Sequence, residues 1–285
     1  MSEFLSRHHL PSEFRNVAEQ YYLPLVEQLQ KRKEARVPFL LGINGAQGTG
    51  KSTLADFVRV AAESMLDWNV AVLSIDDFYY THDERQLLSR DVHPLLATRG
   101  VPGTHDVEML EAYIERLRTA RRNDEIALPR FDKSTDDRAD ESRWPVVKGP
   151  IDLIILEGWC VGTRPQSAEE LEQPMNALER DDDGDGRWRR YVNDHLETNY
   201  KKIFAQLDML VFLAAPSFDA ILRWRLEQEQ KLSDISPSRS AGLMNEQQIR
   251  GFIEFYERLS RANLATLPNI ADVVYELDEA HSIVL

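Results

Sequence analysis

The sequence predicts an α/β protein built on a doubly wound, five-stranded parallel sheet. Three observations predict it. Short apolar runs at residues 37–44, 69–76, 151–157, 207–215 and 271–277 alternate with amphipathic helical patterns. The runs are almost continuously apolar, which suits parallel strands covered on both faces. The first run passes through a glycine-rich turn straight into a helix, an arrangement that offers unpaired backbone N–H groups and a positive dipole end to an anion.

Residues 1–36 read as an N-terminal helical extension. Phe14, Val17, Ala18, Tyr21, Leu25, Val26 and Leu29 fall on one helical face, Ser12 is a candidate cap, and Pro24 predicts a kink or break. Residues 37–285 read as one domain, since all five strands belong to one sheet and no internal repeat divides the chain. The turn after the first strand, Gly45-Ala46-Gln47-Gly48-Thr49-Gly50-Lys51-Ser52-Thr53, has the G-x-x-x-x-G-K-[ST] spacing of a phosphate-binding loop. Its glycines let the backbone approach a phosphate and adopt positive φ. Lys51 can reach the outer phosphates, and the Ser52 hydroxyl can ligate Mg²⁺. Leu54, Phe57, Val58, Ala61 and Met65 then continue as the apolar face of a helix. The loop predicts a nucleoside triphosphate ligand.

The second strand ends in Asp76 and Asp77, and strand alternation would send their side chains to opposite sides. Residues 81–106 show little periodicity, and so long a stretch inside a compact domain is expected to be functional. Residues 107–122 predict a helix, 127–150 a largely polar loop, and 151–157 a strand ending in Glu157. Residues 167–187 read as an acidic, solvated loop. There Asp181, Asp183, Asp185 and Gly186 imitate the start of an EF-hand, but Val192 stands where a bidentate Glu is required, so calcium binding is not expected. A helix over 188–206 precedes the fourth strand, with His195 on its apolar face as a packing residue. Helices over 217–232 and 245–264 flank a Ser/Pro/Gly loop at 233–242. This lid, about residues 217–245, carries Arg223 and Arg225.

Composition bounds the function. The net charge of -14 argues against a nucleic-acid surface, although a local cationic pocket could still take a small anion. Cys160 is the single cysteine, so no intramolecular disulfide is possible and a reducing, cytoplasmic setting is expected. No apolar run approaches a membrane span, and residues 1–10 lack the core of a signal peptide.

In open α/β sheets ligands bind beyond the carboxyl ends of the strands. That edge gathers the phosphate loop, Asp76, Asp77 and Glu157. Two acidic strand ends suggest a division of labour, one carboxylate helping to hold the metal and the other accepting a proton from a substrate hydroxyl. Arg99, Arg130, Lys133 and Arg138 lie in loops that should face the site, and together they suggest capture of an anionic co-substrate.

The stretch Ser74-Ile75-Asp76-Asp77-Phe78-Tyr79 resembles the strand-end signature of the uridine kinase and phosphoribulokinase group of P-loop kinases. A wider set of motifs resembles the plant-type D-glycerate 3-kinases and their uncharacterised bacterial and fungal relatives. It comprises Arg99-Gly100-x-x-Gly103-Thr104-His105-Asp106, Pro129-Arg130-Phe131-Asp132-Lys133-Ser134, Asp137-Arg138-Ala139-Asp140 with Trp144-Pro145, and Glu157-Gly158-Trp159. It continues with Asn193-x-x-Leu196-x-x-Asn199-Tyr200 and Arg223-Trp224-Arg225-Leu226, in one order over most of the chain. The resemblance implies ATP-dependent phosphorylation of a hydroxyl on a small anionic acceptor, D-glycerate first, with a nucleoside, pantothenate or another sugar acid as alternatives. It implies Asp76 as the base, Ser52 and Glu157 for Mg²⁺, and Lys51 and Arg223 for the phosphates. Arg99, His105, Arg130 and Lys133 would face the acceptor, with Asp77, Tyr79, Asp106 and Arg138 beside them. A nucleotide-dependent switch is the reading from a different class, and it would have no use for these acceptor-side loops. The oligomeric state is open at this stage.

Overall fold

The computed structural model describes residues 1–33, 38–235 and 244–284. Its central sheet contains β1 (Phe39–Gly45), β2 (Val70–Ser74), β3 (Leu153–Gly158), β4 (Met209–Ala214), β5 (Val273–Leu277) and β6 (Ile283–Val284). They lie in the order β6-β5-β4-β1-β3-β2. The five expected strands pair in parallel, while β6, which the sequence reading did not anticipate, closes the edge antiparallel to β5. Two residues are too few to show a period.

Alternation along the strands builds two cores. Leu40, Ile154, Leu156, Leu210 and Phe212 point to one face of the sheet. Leu41, Ile43, Leu153, Ile155, Val211 and Leu213 point to the other. Every residue of β1, β3 and β4 is buried, which is why these strands read as continuous apolar runs. The second face is covered by helix Lys51–Leu66 and by the N-terminal segment, whose Tyr22 ring lies 5.5 Å from Phe57. The Tyr275 hydroxyl donates to the Tyr21 carbonyl at 2.8 Å, tying that segment to β5. Met65, expected on the apolar face, is 59% exposed, while Ala62 before it and Leu66 after it pack on the core.

Several local expectations are corrected. Pro24 does not break its helix; it sits in the first turn of helix Leu23–Arg32, where no N–H is required, just after a π-helical turn at Ala18–Tyr22. Residues 81–106 hold a helix, His82–Asp91, closed by a reciprocal Thr81/Glu84 capping box. The loop at 127–150 folds into parts of two antiparallel ribbons, Glu125–Ala127 with Val146–Lys148 and Phe131–Asp132 with Asp137–Arg138. The helix expected over 188–206 is interrupted by a π-helical turn at Leu196–Tyr200. The 167–187 stretch contains a short helix, Ala177–Asp181, and Asp183 within it is fully buried. Asp183 accepts the Trp188 and Arg189 N–H groups at 2.7 and 3.2 Å and pairs with the Arg189 guanidinium, so it caps the following helix. The segment expected to form a lid, about 217–245, begins with helix Phe218–Ile235 and is followed by helix Glu246–Thr266; most of the loop expected between them lies outside the described residues.

Candidate active site

The carboxyl ends of β1, β2 and β3 open onto a cleft of about 700 Å³. β1 delivers the phosphate loop. Gly48 and Gly50 both adopt φ of +86°, a left-handed conformation that lets the loop curl before the helix begins at Lys51. Side chains at this loop are held tightly. The Thr49 hydroxyl donates to the Ala46 carbonyl at 2.8 Å, and a Cβ on Gly45 would fall 2.4 Å from that hydroxyl oxygen. His281, from the turn between β5 and β6, contacts the Gly48 carbonyl at 3.0 Å through Nδ1 and stacks on Trp224 at 4.2 Å. The nitrogen must donate there, because a carbonyl can only accept.

Glu157 lies on β3, between Ile43 of β1 and Ser74 of β2. Its Oε1 accepts the Ser52 hydroxyl at 3.1 Å. Its Oε2 is buried without a hydrogen-bond partner, an arrangement that costs stability unless a cation completes it. A hydroxyl and an unsatisfied carboxylate oxygen are hard oxygen donors of the kind Mg²⁺ takes, so these residues fit that ion.

The second strand stops at Ser74, and Ile75–Phe78 form a 3-10 turn. Asp76 and Asp77 therefore do not alternate across a strand as expected; the turn separates them by partner. Asp76 accepts the Lys133 ammonium at 2.7 Å and the Tyr79 hydroxyl at 2.9 Å, and it lines the cleft with Lys51. Burial would raise its carboxyl, but Lys133 and Lys51 together outweigh burial and hold it down at about 2. Asp77 accepts the Phe131 N–H at 3.0 Å and the Arg130 guanidinium at 3.1 Å. Burial, with the charges of Asp76 and Glu157, overcomes those partners and pushes Asp77 up to about 6.

The remaining candidates divide by place. Tyr79, Arg99 and Lys133 line the cleft with Asp76. Arg130 is spent on Asp77 and on the Pro129 carbonyl, away from the lining. Asp106 caps helix Val107–Arg118 and pairs with Arg138 at 2.9 Å, and neither residue lines the cleft. His105 is buried behind Tyr79, stacked on its ring at 4.4 Å. The Tyr200 oxygen accepts the Gly103 N–H at 3.1 Å and lies 2.7 Å from His105 Nδ1. Burial lowers His105 to about 4 against the pull of Asp76, which keeps the ring neutral. Arg223 is half exposed and paired with Glu279, while Arg225, two residues on, faces the cleft and pairs with Glu229.

Sequence reasoning missed Asp136, Trp159, Phe252 and Tyr256 in the lining. The readable hint was Gly100. It adopts φ of +143°, and a Cβ there would meet the Tyr256 hydroxyl at 2.2 Å, so the Arg99-Gly100 motif implies a close neighbour. The neighbour's identity lies 156 residues along the chain, and no local pattern could supply it.

A phosphate loop on the central strand, a hydroxyl–carboxylate pair beside it and a charged cleft beyond define the class: a P-loop kinase. No protein-family model matches the chain. It is 34% identical over 252 residues to an uncharacterized kinase of Schizosaccharomyces pombe, across 84% of this chain and 86% of that protein. It is 30% identical over 241 residues to the chloroplastic D-glycerate 3-kinase of Arabidopsis thaliana, across 81% of this chain and 48% of that protein. The structure of D-glycerate 3-kinase from Cryptococcus neoformans matches with a TM-score of 0.74 at 25% identity, covering 96% of this chain and 98% of that one. The chain belongs to this D-glycerate 3-kinase-like family of P-loop kinases and is an ATP-dependent phosphotransferase. Among the described residues no helix is long and apolar enough to cross a membrane.

Proposed function

We propose that the chain transfers the γ-phosphoryl group of ATP to a hydroxyl of a small hydroxy acid, D-glycerate before other acceptors. The carrying observation is Asp76, an ionised carboxylate in the cleft between Lys51 on the phosphate loop and Lys133 on the acceptor side. Lys51 and the loop N–H groups cradle the phosphates. Ser52 and Glu157 would hold Mg²⁺, which would neutralise charge on the phosphate oxygens. Asp76 accepts the acceptor hydroxyl's hydrogen bond and aims its oxygen in line at the γ-phosphorus. A carboxylate held near 2 is a weak proton sink, so its main work is orientation, with proton transfer late in bond formation. Arg225, on the inner face of the lid helix, takes the charge-stabilising role expected of Arg223. Arg99 and Lys133 recognise an anionic acceptor, which favours a carboxylate over a neutral nucleoside.

The test is ADP release, measured in a coupled assay with D-glycerate, pantothenate, uridine and no acceptor. Stimulation by D-glycerate well above the others is the expected outcome. Stimulation by uridine or pantothenate alone would reassign the acceptor.

A further inference from the structure

Helix His82–Asp91 buries one residue, Arg85, and that arginine is fully enclosed. Enclosing a guanidinium is costly unless its donors are satisfied. Here Nε donates to the Thr81 carbonyl at 3.5 Å, and the two terminal nitrogens converge on one residue. Arg85 reaches the Asp136 carboxylate through both terminal nitrogens, at 3.2 and 2.9 Å, and the Asp136 carbonyl at 2.8 Å. Arg99 also contacts that carboxylate. Both guanidinium groups lie over the Phe131 ring, at 5.8 and 5.5 Å, so Phe131 fixes the pair. Asp136 itself adopts φ of +56°, a left-handed conformation uncommon for a side-chain-bearing residue. A buried arginine, an aromatic ring and a strained backbone thus hold one carboxylate fixed, and that carboxylate lines the cleft beside Arg99 and Lys133.

We infer that Asp136 is a specificity-determining residue that accepts a hydrogen bond from a second hydroxyl of the acceptor, beside its carboxylate, and so selects α-hydroxy acids. The inference rests on the proposal that a small hydroxy acid is the acceptor. The acceptor's carboxylate lies against the free N–H groups of Arg99 and against Lys133. Its α-hydroxyl, one bond from that carboxylate, then falls next to the residue Arg99 already touches. The terminal hydroxyl is left for Asp76. Asp136 Oδ1 is shared by Arg85 and Arg99, whereas Oδ2 takes Arg85 at 2.9 Å and only the exposed His82 ring at 3.5 Å, so Oδ2 is the oxygen a hydroxyl reaches, displacing His82. An acceptor lacking the α-hydroxyl leaves it facing the cleft unpaired, which is how a site built to bind a hydroxyl rejects an analogue.

The experiment compares kcat/KM for D-glycerate and 3-hydroxypropionate, which lacks only the α-hydroxyl, in the wild type and in Asp136→Ala. In Asp136→Ala the ratio of kcat/KM for D-glycerate to that for 3-hydroxypropionate should fall about 10- to 100-fold, as loss of a hydrogen bond to a charged group predicts, beyond any loss the two acceptors share through Arg99. Asp136→Asn keeps the volume and one acceptor oxygen for Arg85, and its ratio should fall between those of the wild type and Asp136→Ala. It serves the same comparison if the alanine variant does not fold. A parallel loss for both acceptors, in whichever variant folds, is the signature of a purely structural carboxylate and would overturn the inference. Failure of the wild type to phosphorylate D-glycerate would instead overturn the acceptor reading beneath it, and the inference with it.

Discussion

Two neighbouring aspartates end the second strand with opposite proton affinities. Asp76 faces two lysines and stays ionised; Asp77 is buried near two other carboxylates and is raised to about 6. Asp76→Asn should lower kcat by about 10²–10⁴ with little change in ADP affinity, because Lys51 and the loop backbone are untouched. Asp77→Asn should be milder on kcat and show itself in stability. A carboxyl raised on folding contributes stability that is fully present below its ordinary value of 3.8 and lost as pH rises through about 6. The Tm of Asp77→Asn, relative to wild type, should therefore improve between about pH 4 and about pH 6. A larger kcat loss at Asp77 than at Asp76 would reverse the assignment of roles. The identities of these acids were readable in the sequence, because an apolar run ending in acids has few other meanings. Their geometry was not, since it depends on a strand stopping at Ser74 rather than running on to Asp76.

Among the elements, those legible in sequence were the ones with a repeating buried face. β1, β3 and β4 and the helix Lys51–Leu66 carry their period openly. Helix His82–Asp91 carries none, since its single buried residue is an arginine; only Thr81-x-x-Glu84 announced it. Asp183 was mistaken for solvated because an acidic run normally is, and its burial depends on Arg189 of the following helix. The phosphate loop was legible in full as a motif, but its support was not. Trp224 and His281 come from helix Phe218–Ile235 and the last turn, far along the chain. That support gives a prediction at this scale. A Cβ on Gly48 would meet Trp224 Cβ at 2.9 Å, at a left-handed φ. Gly48→Ala should therefore displace the loop and weaken ADP binding by more than about tenfold, since the conformation alone costs roughly 1–2 kcal/mol in a non-glycine residue. Calorimetric titration with ADP measures it, and unchanged affinity would show that the loop does not depend on this packing.

Taken whole, the molecule carries a net charge of -14 yet lines its cleft with Lys51, Arg99, Lys133 and Arg225. Asp76, Asp136 and Glu157 face them, so charge is matched locally and the overall acidity is left to the outer surface. The N-terminal segment shares its core, through Phe4, Tyr22 and Leu25, with helix Lys51–Leu66 and with Ile221 and Trp224 of the helix that carries Arg225. Strand and helix order was enough to define the family's architecture, whereas the acceptor end depends on side chains drawn from five separate stretches of chain. The central claim is phosphoryl transfer to a carbon-bound hydroxyl rather than to water. Phosphorus NMR of the wild-type protein with ATP, Mg²⁺ and D-glycerate tests it most directly. The account predicts a new phosphomonoester signal growing in step with ADP, with no matching rise in inorganic phosphate. Inorganic phosphate rising alone, at the same rate with and without D-glycerate, would contradict it.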